Sequence, residues 1–268
     1  MKRFLLTFAI TCSIGLAESS LAAAIVSTTN NGTGFATINT ATAASAFIGP
    51  STGGSATYGN AFDPTTGILY ATTNSGKLAT VNQTTGGLTI LGNLPLGTFV
   101  NAIDFDLAGN LYATSWGGNV YRIDKTNGAA VSLLGNSGIG GIMDISIDST
   151  GQLYATDAGI LYHLSTLNGS VLSAFSISGV TEGAGSIMGL AHDEFDNLFA
   201  TTYTSNSHLY SLSSTGAATS VGLTGLSFAH GGDILRRAGA VPEPASLALV
   251  GVALAGLAVA RRRQRAEG

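Results

Sequence analysis

A short sequence returns four times along the chain: Leu69-Tyr70-Ala71-Thr72, Leu111-Tyr112-Ala113-Thr114, Leu153-Tyr154-Ala155-Thr156 and Leu198-Phe199-Ala200-Thr201. Its aromatic residues stand 42, 42 and 45 residues apart. A period of this length marks a chain assembled from one supersecondary unit, which cannot bury its own apolar face and must stack on its neighbours. Before each copy lies an apolar strand and an aspartate-containing turn: AFDPTTG at 61–67, DFDLAGN at 104–110, SIDSTGQ at 146–152 and AHDEFDN at 191–197. An Asp side chain bonds the backbone two residues on and so fixes such a turn; capping by surface-bound calcium is the functional alternative for Asp63, Asp106, Asp148 and Asp193.

After each copy comes a third strand of one pattern, LATV (78–81), VYRI (120–123), LYHL (161–164) and LYSL (209–212), with a fifth example, FATI, at 35–38. A turn and a fourth strand follow, as in DKTNG and AVSLLG from 124 to 135. Alternation with a period of two assigns these segments to β-strands, and 37 glycines with few Lys and Glu favour strands and tight turns over helices. Four short antiparallel strands per unit of about 42 residues is the sequence signature of a β-propeller blade. A right-handed β-helix or a β-sandwich is the competing fold, and two hairpins per period argue against the first.

Four units are complete and the fifth is divided. Ile25 to Gly49 supplies its later strands, and Leu226-Ser227-Phe228-Ala229 is read as its first. Completing one blade from both ends of the body removes the open edges of the ring. The expectation is therefore an all-β, five-bladed propeller over residues 25–238. The Leu-Tyr-Ala-Thr strand after its Asp turn resembles the NHL-like group of propellers.

Two flanking segments differ from the body. Residues 1–24 carry Lys2 and Arg3, an apolar run from Phe4 to Ala17 and small residues at an Ala-x-Ala spacing, the organisation of a secretory signal helix read by the Sec machinery. Cys12 is the one cysteine and lies inside that segment, so the exported body has no disulfide and no thiol ligand. Residues 239–268 contain Pro242-Glu243-Pro244, a sixteen-residue run from Ala245 to Ala260 that is apolar but for Ser246, and Arg261-Arg262-Arg263. This arrangement resembles the PEP-CTERM sorting signal of biofilm-forming Gram-negative bacteria. The resemblance implies recognition by a membrane-embedded exosortase, transient insertion of a C-terminal hydrophobic helix, cleavage, and release to the cell surface or beyond. The prolines keep their segment extended, the sixteen-residue run makes a marginal span and the arginines hold the tail on the cytoplasmic side. A permanent tail anchor is the alternative.

Between Ile25 and Leu235 three cations, Lys77, Arg122 and Lys125, face ten Asp and two Glu, a net charge of −9. That sign repels phosphate backbones and argues against nucleic acid as a partner; the cations at the ends are assigned to targeting. Gly49-Pro50-Ser51-Thr52-Gly53 matches G-x-S-x-G but lacks the strand-to-helix context of a nucleophile elbow. Asn31, Asn82 and Asn168 stand at glycosylation spacing and are read as turn residues. Trp116, Tyr70, Tyr112 and Tyr154 are assigned to the core between blades.

No catalytic residue and no resident cofactor is assigned. Alternation directs Asp104 and Asp144 toward the central channel, where His192 or His230 could join them around a divalent cation such as calcium. Such a site would resemble that of the calcium- or zinc-dependent gluconolactonase-like propellers, whose Glu and Asn ligands find no match here. The favoured function is an exported binding or structural module of a biofilm or exopolysaccharide matrix; the alternative is a secreted metal-dependent lactonase or polysaccharide lyase.

Overall fold

The computed structural model describes residues 24–52, 55–94, 100–157 and 159–236. Apart from Ala24, the signal peptide, the sorting residues Pro242, Glu243, Pro244, Arg261, Arg262 and Arg263, and both terminal helices lie outside the described residues. Among the described residues no helix is long and apolar enough to cross a membrane.

The described residues begin with β1 (Ala24–Thr29), β2 (Gly34–Asn39) and β3 (Ser45–Pro50). The first blade is β4 (Thr57–Phe62), β5 (Leu69–Thr73), β6 (Lys77–Val81) and β7 (Leu88–Asn93). The second is β8 (Val100–Phe105), β9 (Leu111–Ser115), β10 (Asn119–Ile123) and β11 (Ala130–Asn136), and the third β12 (Asp144–Ile147), β13 (Leu153–Asp157), β14 (Ile160–Leu164) and β15 (Val171–Ser176). The fourth is β16 (Ile187–His192), β17 (Leu198–Thr202), β18 (His208–Leu212) and β19 (Ala218–Leu223). A last strand, β20 (His230–Ile234), pairs antiparallel with β1 and makes the fifth four-stranded sheet, in the order β20-β1-β2-β3. The first strands touch in a closed circuit, β4 to β8 to β12 to β16 to β20 and back to β4. The molecule is a five-bladed propeller in which both ends of the body complete one blade.

Each Leu-Tyr-Ala-Thr copy is the second strand of a blade, and Ile25-Val26-Ser27-Thr28 is its fifth counterpart. The tetrads from FATI to LYSL are the third strands, as their spacing predicts. The first strand of the fifth blade differs from expectation: it is His230-Gly231-Gly232-Asp233-Ile234, while Leu226 to Ala229 form the turn before it. Phe228, a non-glycine residue, has φ 52°, which breaks the extended backbone within the tetrad. This first strand has Gly-Gly-Asp where its counterparts carry apolar residues such as Ile103 and Ile145, so the apolar tetrad beside it misleads.

The apolar core is divided into five clusters, one between each pair of neighbouring blades. In the first of them Tyr70 packs on Phe105 with ring centroids 5.2 Å apart. The fourth strands supply these clusters by a recurring irregularity. Opposite Phe35, Leu78, Val120 and Leu209 stand Gly49, Gly92, Gly135 and Gly222, and the register then slips past Ile48, Leu91, Leu134 and Val221. Each bulged residue turns its side chain onto the core between blades. The glycine beside it admits the outer hairpin of the next blade: a Cβ on Gly92 would collide with the Asn127 carbonyl, and one on Gly135 with that of Asn168. The third blade has Phe175 at this position, its slip comes later, between His163 and Leu164, and its cluster draws on Val180, Ala184 and Ala218.

Candidate functional site

The turn aspartates are structural in the way their recurrence suggests. Asp63, Asp106, Asp148 and Asp193 each accept the N–H two residues on, from Thr65, Ala108, Thr150 and Phe195, at 2.9–3.0 Å. Asp63 is also paired with Lys125 Nζ at 2.5 Å, so the turn of one blade is stapled to the outer hairpin of the next. Among the described residues no group of three or more His, Cys, Asp or Glu is arranged to hold a metal ion.

Asp104 and Asp144 do line the axis, but as fully buried groups that tie blades together. Asp104 accepts Ile147 N–H at 2.5 Å, and Asp144 accepts Leu190 N–H at 2.7 Å. Asp233, which the sequence reading passed over, does the same for Phe62 at 2.7 Å. The register explains the likeness, because Asp104 stands opposite Tyr112 and Asp233 opposite Val26, the second residue of each blade's inner repeat. Arg236 reaches into this layer, only 4 % exposed, with Nη2 donating to Phe105 O at 3.2 Å and lying 3.6 Å from Asp104 Oδ2. Its Nη1 donates to Ile147 O. Assigning every terminal cation to targeting is thus incorrect: Arg236 belongs to the fold.

The four channel candidates are not brought together. His192 ends β16 at the turn side of the ring, its Nδ1 2.9 Å from Ser146 Oγ, whereas His230 begins β20 at the opposite side. Burial lowers both imidazoles to about 4. The carboxyls move the other way. Burial pushes Asp104 up to about 6 against the pull of Arg236, and carries Asp144 and Asp233 well above the ordinary 3.8.

These opposite shifts define a stability profile. A histidine with a lowered folded pKa contributes stability that is complete above its unfolded value and lost as pH falls toward about 4. A carboxyl with a raised folded pKa contributes stability that is complete below its unfolded value and lost as pH rises through the folded one. Above the histidine range the raised carboxyls change first and the raised tyrosines follow at higher pH, so stability falls toward alkaline pH. Asp144→Asn keeps the acceptor for Leu190 N–H and cannot ionise. We expect its Tm to exceed that of the unsubstituted protein by a margin that opens above about pH 4 and widens toward pH 9, reaching at least about 3 °C, the scale of 1 kcal/mol in a domain of this size. Thermal denaturation across that range checks this, and parallel curves for the two proteins would exclude Asp144 as the source.

A different feature occupies the open end of the axis. Tyr58, Asn101, Met143, Met188 and His230 each precede by four residues the strand-end positions Phe62, Phe105, Ile147, His192 and Ile234, which pair with the first residue of every inner repeat. They are five equivalent positions, one per blade, and together they ring the mouth of the channel. Asn31, Trp116 and Tyr203, from the turns after β1, β9 and β17, complete a cavity of about 290 Å³. Among the described residues its lining holds no Asp, Glu, Lys or Arg.

The mouth is held in shape by its own contacts. Tyr58 and Tyr203 flank His230 with ring centroids 5.5 Å away on either side, and Tyr203 OH donates to Asn31 Oδ1 at 2.5 Å. Asn101 Nδ2 donates to Ile142 O at 3.2 Å, which leaves its Oδ1 as an acceptor. Trp116 is 48 % exposed, a correction to its assignment as core; Tyr70, Tyr112 and Tyr154 are buried as expected. The turn carrying Trp116 lies beyond the repeated tetrad, so the repeat gave no information about it.

A second cavity, of about 440 Å³, lies at the turn end and includes Tyr154, His192, Asp196 and Asn197. Two of its polar side chains are engaged by residues outside the lining: Asp196 accepts from Ser149 N–H and Oγ, and Asn197 donates to Asp193. The mouth, with an exposed indole and uncommitted amide atoms, is the better candidate.

Comparison with known proteins agrees with the two-part organisation. The family described as PEP-CTERM protein-sorting motif matches residues 240–263, so the chain carries this sorting motif, which implies exosortase-dependent export and transient membrane anchoring before processing. No curated protein matches the sequence. Among solved structures, a chain of a nidogen/laminin complex is similar at 14 % identity and TM-score 0.53, covering 79 % of this chain and 98 % of that one. A chain from work on the de novo evolutionary emergence of a symmetrical protein is similar at 17 % identity and TM-score 0.52, covering 78 % and 98 %. Virginiamycin B lyase from Staphylococcus aureus is similar at 12 % identity and TM-score 0.41, covering 75 % of this chain and 70 % of that one. At these identities the likeness is one of fold, the β-propeller.

Proposed function

We propose that this protein is an exported binding module that, after exosortase processing, attaches at the cell surface or in the extracellular matrix through the mouth of its ring. The observation that carries the reading is the mouth itself: five equivalent inner positions and three turns converge on one concave site with an exposed tryptophan. The sorting motif supports delivery to the outside, and the acidic body suits a partner that is not a polyanion. The lactonase or lyase reading requires Asp104 and Asp144 to meet a substrate, and both are 2 % exposed or less. Propellers serve binding and catalysis alike, so the site decides.

The test is retention on isolated extracellular matrix in a sedimentation assay. Trp116→Ala combined with Tyr203→Ala is expected to weaken retention at least tenfold, about 1.4 kcal/mol, with an unchanged far-ultraviolet spectrum. Retention equal to that of the unsubstituted protein would remove the mouth as the attachment site.

A further inference from the structure

The chemistry of the mouth also restricts its ligand, an inference that rests on reading the mouth as the binding site. We propose that the mouth takes a single neutral pyranose unit of a polysaccharide, seated on the Trp116 indole and hydrogen-bonded by Asn31 and Asn101. A pyranose ring has an apolar C–H face and a rim of hydroxyls, and it needs an aromatic platform beside donors and acceptors that are not already spent. Trp116 is half exposed and supplies the platform. Asn31 receives the Tyr203 hydroxyl on Oδ1 and retains its amide N–H groups, whereas Asn101 donates to Ile142 O and retains its acceptor. One residue thus offers donors and the other an acceptor, which suits hydroxyls that both give and receive.

The site offers nothing to an ionic group. Its lining contains no carboxylate, ammonium or guanidinium among the described residues. His230, held between two tyrosine rings, is kept neutral through most of the pH range by burial. A uronate or a phosphate would be stripped of water with no countercharge to meet it. The cavity, at about 290 Å³, stands at the low end of the roughly 300–1,000 Å³ usual for ligand sites. Below it the layer of Asp104, Asp144, Asp233 and Arg236 closes the axis, since all four side chains are buried. A polysaccharide therefore cannot thread the ring and must present one unit, at its end or from its side.

Trp116 is the one tryptophan in the sequence, so its emission reports the mouth alone. The experiment titrates the protein with neutral gluco-, manno- and galacto-configured oligosaccharides, and with oligogalacturonate and oligomannuronate, by fluorescence and calorimetry. At least one neutral oligosaccharide is expected to shift the emission and to bind with an affinity that changes less than about twofold between 50 and 500 mM salt, since no fixed charge takes part. Trp116→Ala should abolish the heat of binding and Trp116→Phe should keep it within about tenfold. Binding of the uronates alone, or neutral binding indifferent to Trp116→Ala, overturns the proposal. If isolated matrix perturbs Trp116 while the whole neutral panel does not, the sugar class falls and the mouth stands; if matrix leaves Trp116 unperturbed, the mouth reading falls as well.

Discussion

Arg236→Ala is expected to lower the thermal midpoint of this protein more than any exposed substitution at the mouth. The guanidinium comes from the tail of the fifth blade, crosses the axis and donates to the Phe105 and Ile147 carbonyls, which end the first strands of the second and third blades. It also lies 3.6 Å from Asp104, a carboxyl wholly removed from water. Removing the cation leaves two carbonyls without these donors and deprives the buried carboxyl of its one favourable charge. Breaking a buried pair from one side costs about 3–5 kcal/mol, which corresponds to roughly 10 °C in a domain of this size. Pairing the change with Asp104→Asn should restore part of the loss, because the neutral amide still accepts Ile147 N–H and strands no charge. A double-mutant cycle by thermal denaturation decides it. A single-variant midpoint within about 2 °C of the unsubstituted protein, or strict additivity, would show that Arg236 does not bind the blades together.

Why this residue escaped a reading of the sequence is instructive. The repeat was legible because each second strand is squeezed between neighbouring blades, and that squeeze admits a narrow range of side chains. Leu69, Leu111, Leu153 and Leu198 are all buried in inter-blade clusters, and their periodicity survives even at 42-residue spacing. Arg236 lies outside the period, acts once, and is recognisable only when three blades are placed around one axis. The same applies to Asp233. His230-Gly231-Gly232-Asp233 carries no apolar alternation, whereas Leu226-Ser227-Phe228-Ala229 does, so the latter drew the assignment instead.

The candidate site was less legible for a related reason. Asp104 and Asp144 were correctly directed at the channel by alternation, but alternation gives direction and not depth. At mid-channel an inward carboxylate meets the backbone amides of the next blade and becomes a tie. The proposed binding site lies instead at the mouth, where the five equivalent positions are Tyr58, Asn101, Met143, Met188 and His230. Their side chains differ because no shared packing constraint acts on them, so a search for likeness passes over the ring that asymmetry makes specific. Conversely, the turn aspartates recur because each solves the same local problem, and their hydrogen bonds repeat nearly to the tenth of an ångström.

Pro242→Ala together with Pro244→Ala is expected to shift the protein from the released to the membrane-bound fraction. The sorting motif begins at residue 240, four residues after Arg236, so the last element that closes the ring directly precedes the address. A cut near Pro244 would leave β20 and Arg236 with the propeller and remove only the apolar run and its arginines. The expectation rests on residue type: proline opposes helix and favours extended backbone, whereas alanine is the strongest helix former. Mass spectrometry of the extracellular species should then find no peptide ending Ala266-Glu267-Gly268 for the unsubstituted protein, and the double variant should retain that terminus in the membrane. An intact C-terminus on protein already released into the medium would refute processing, whatever the variant does. The mouth supplies a second reading of the same experiment: if attachment outside the cell depends on release, the retained variant should leave the matrix without this propeller although its Trp116 site is unaltered.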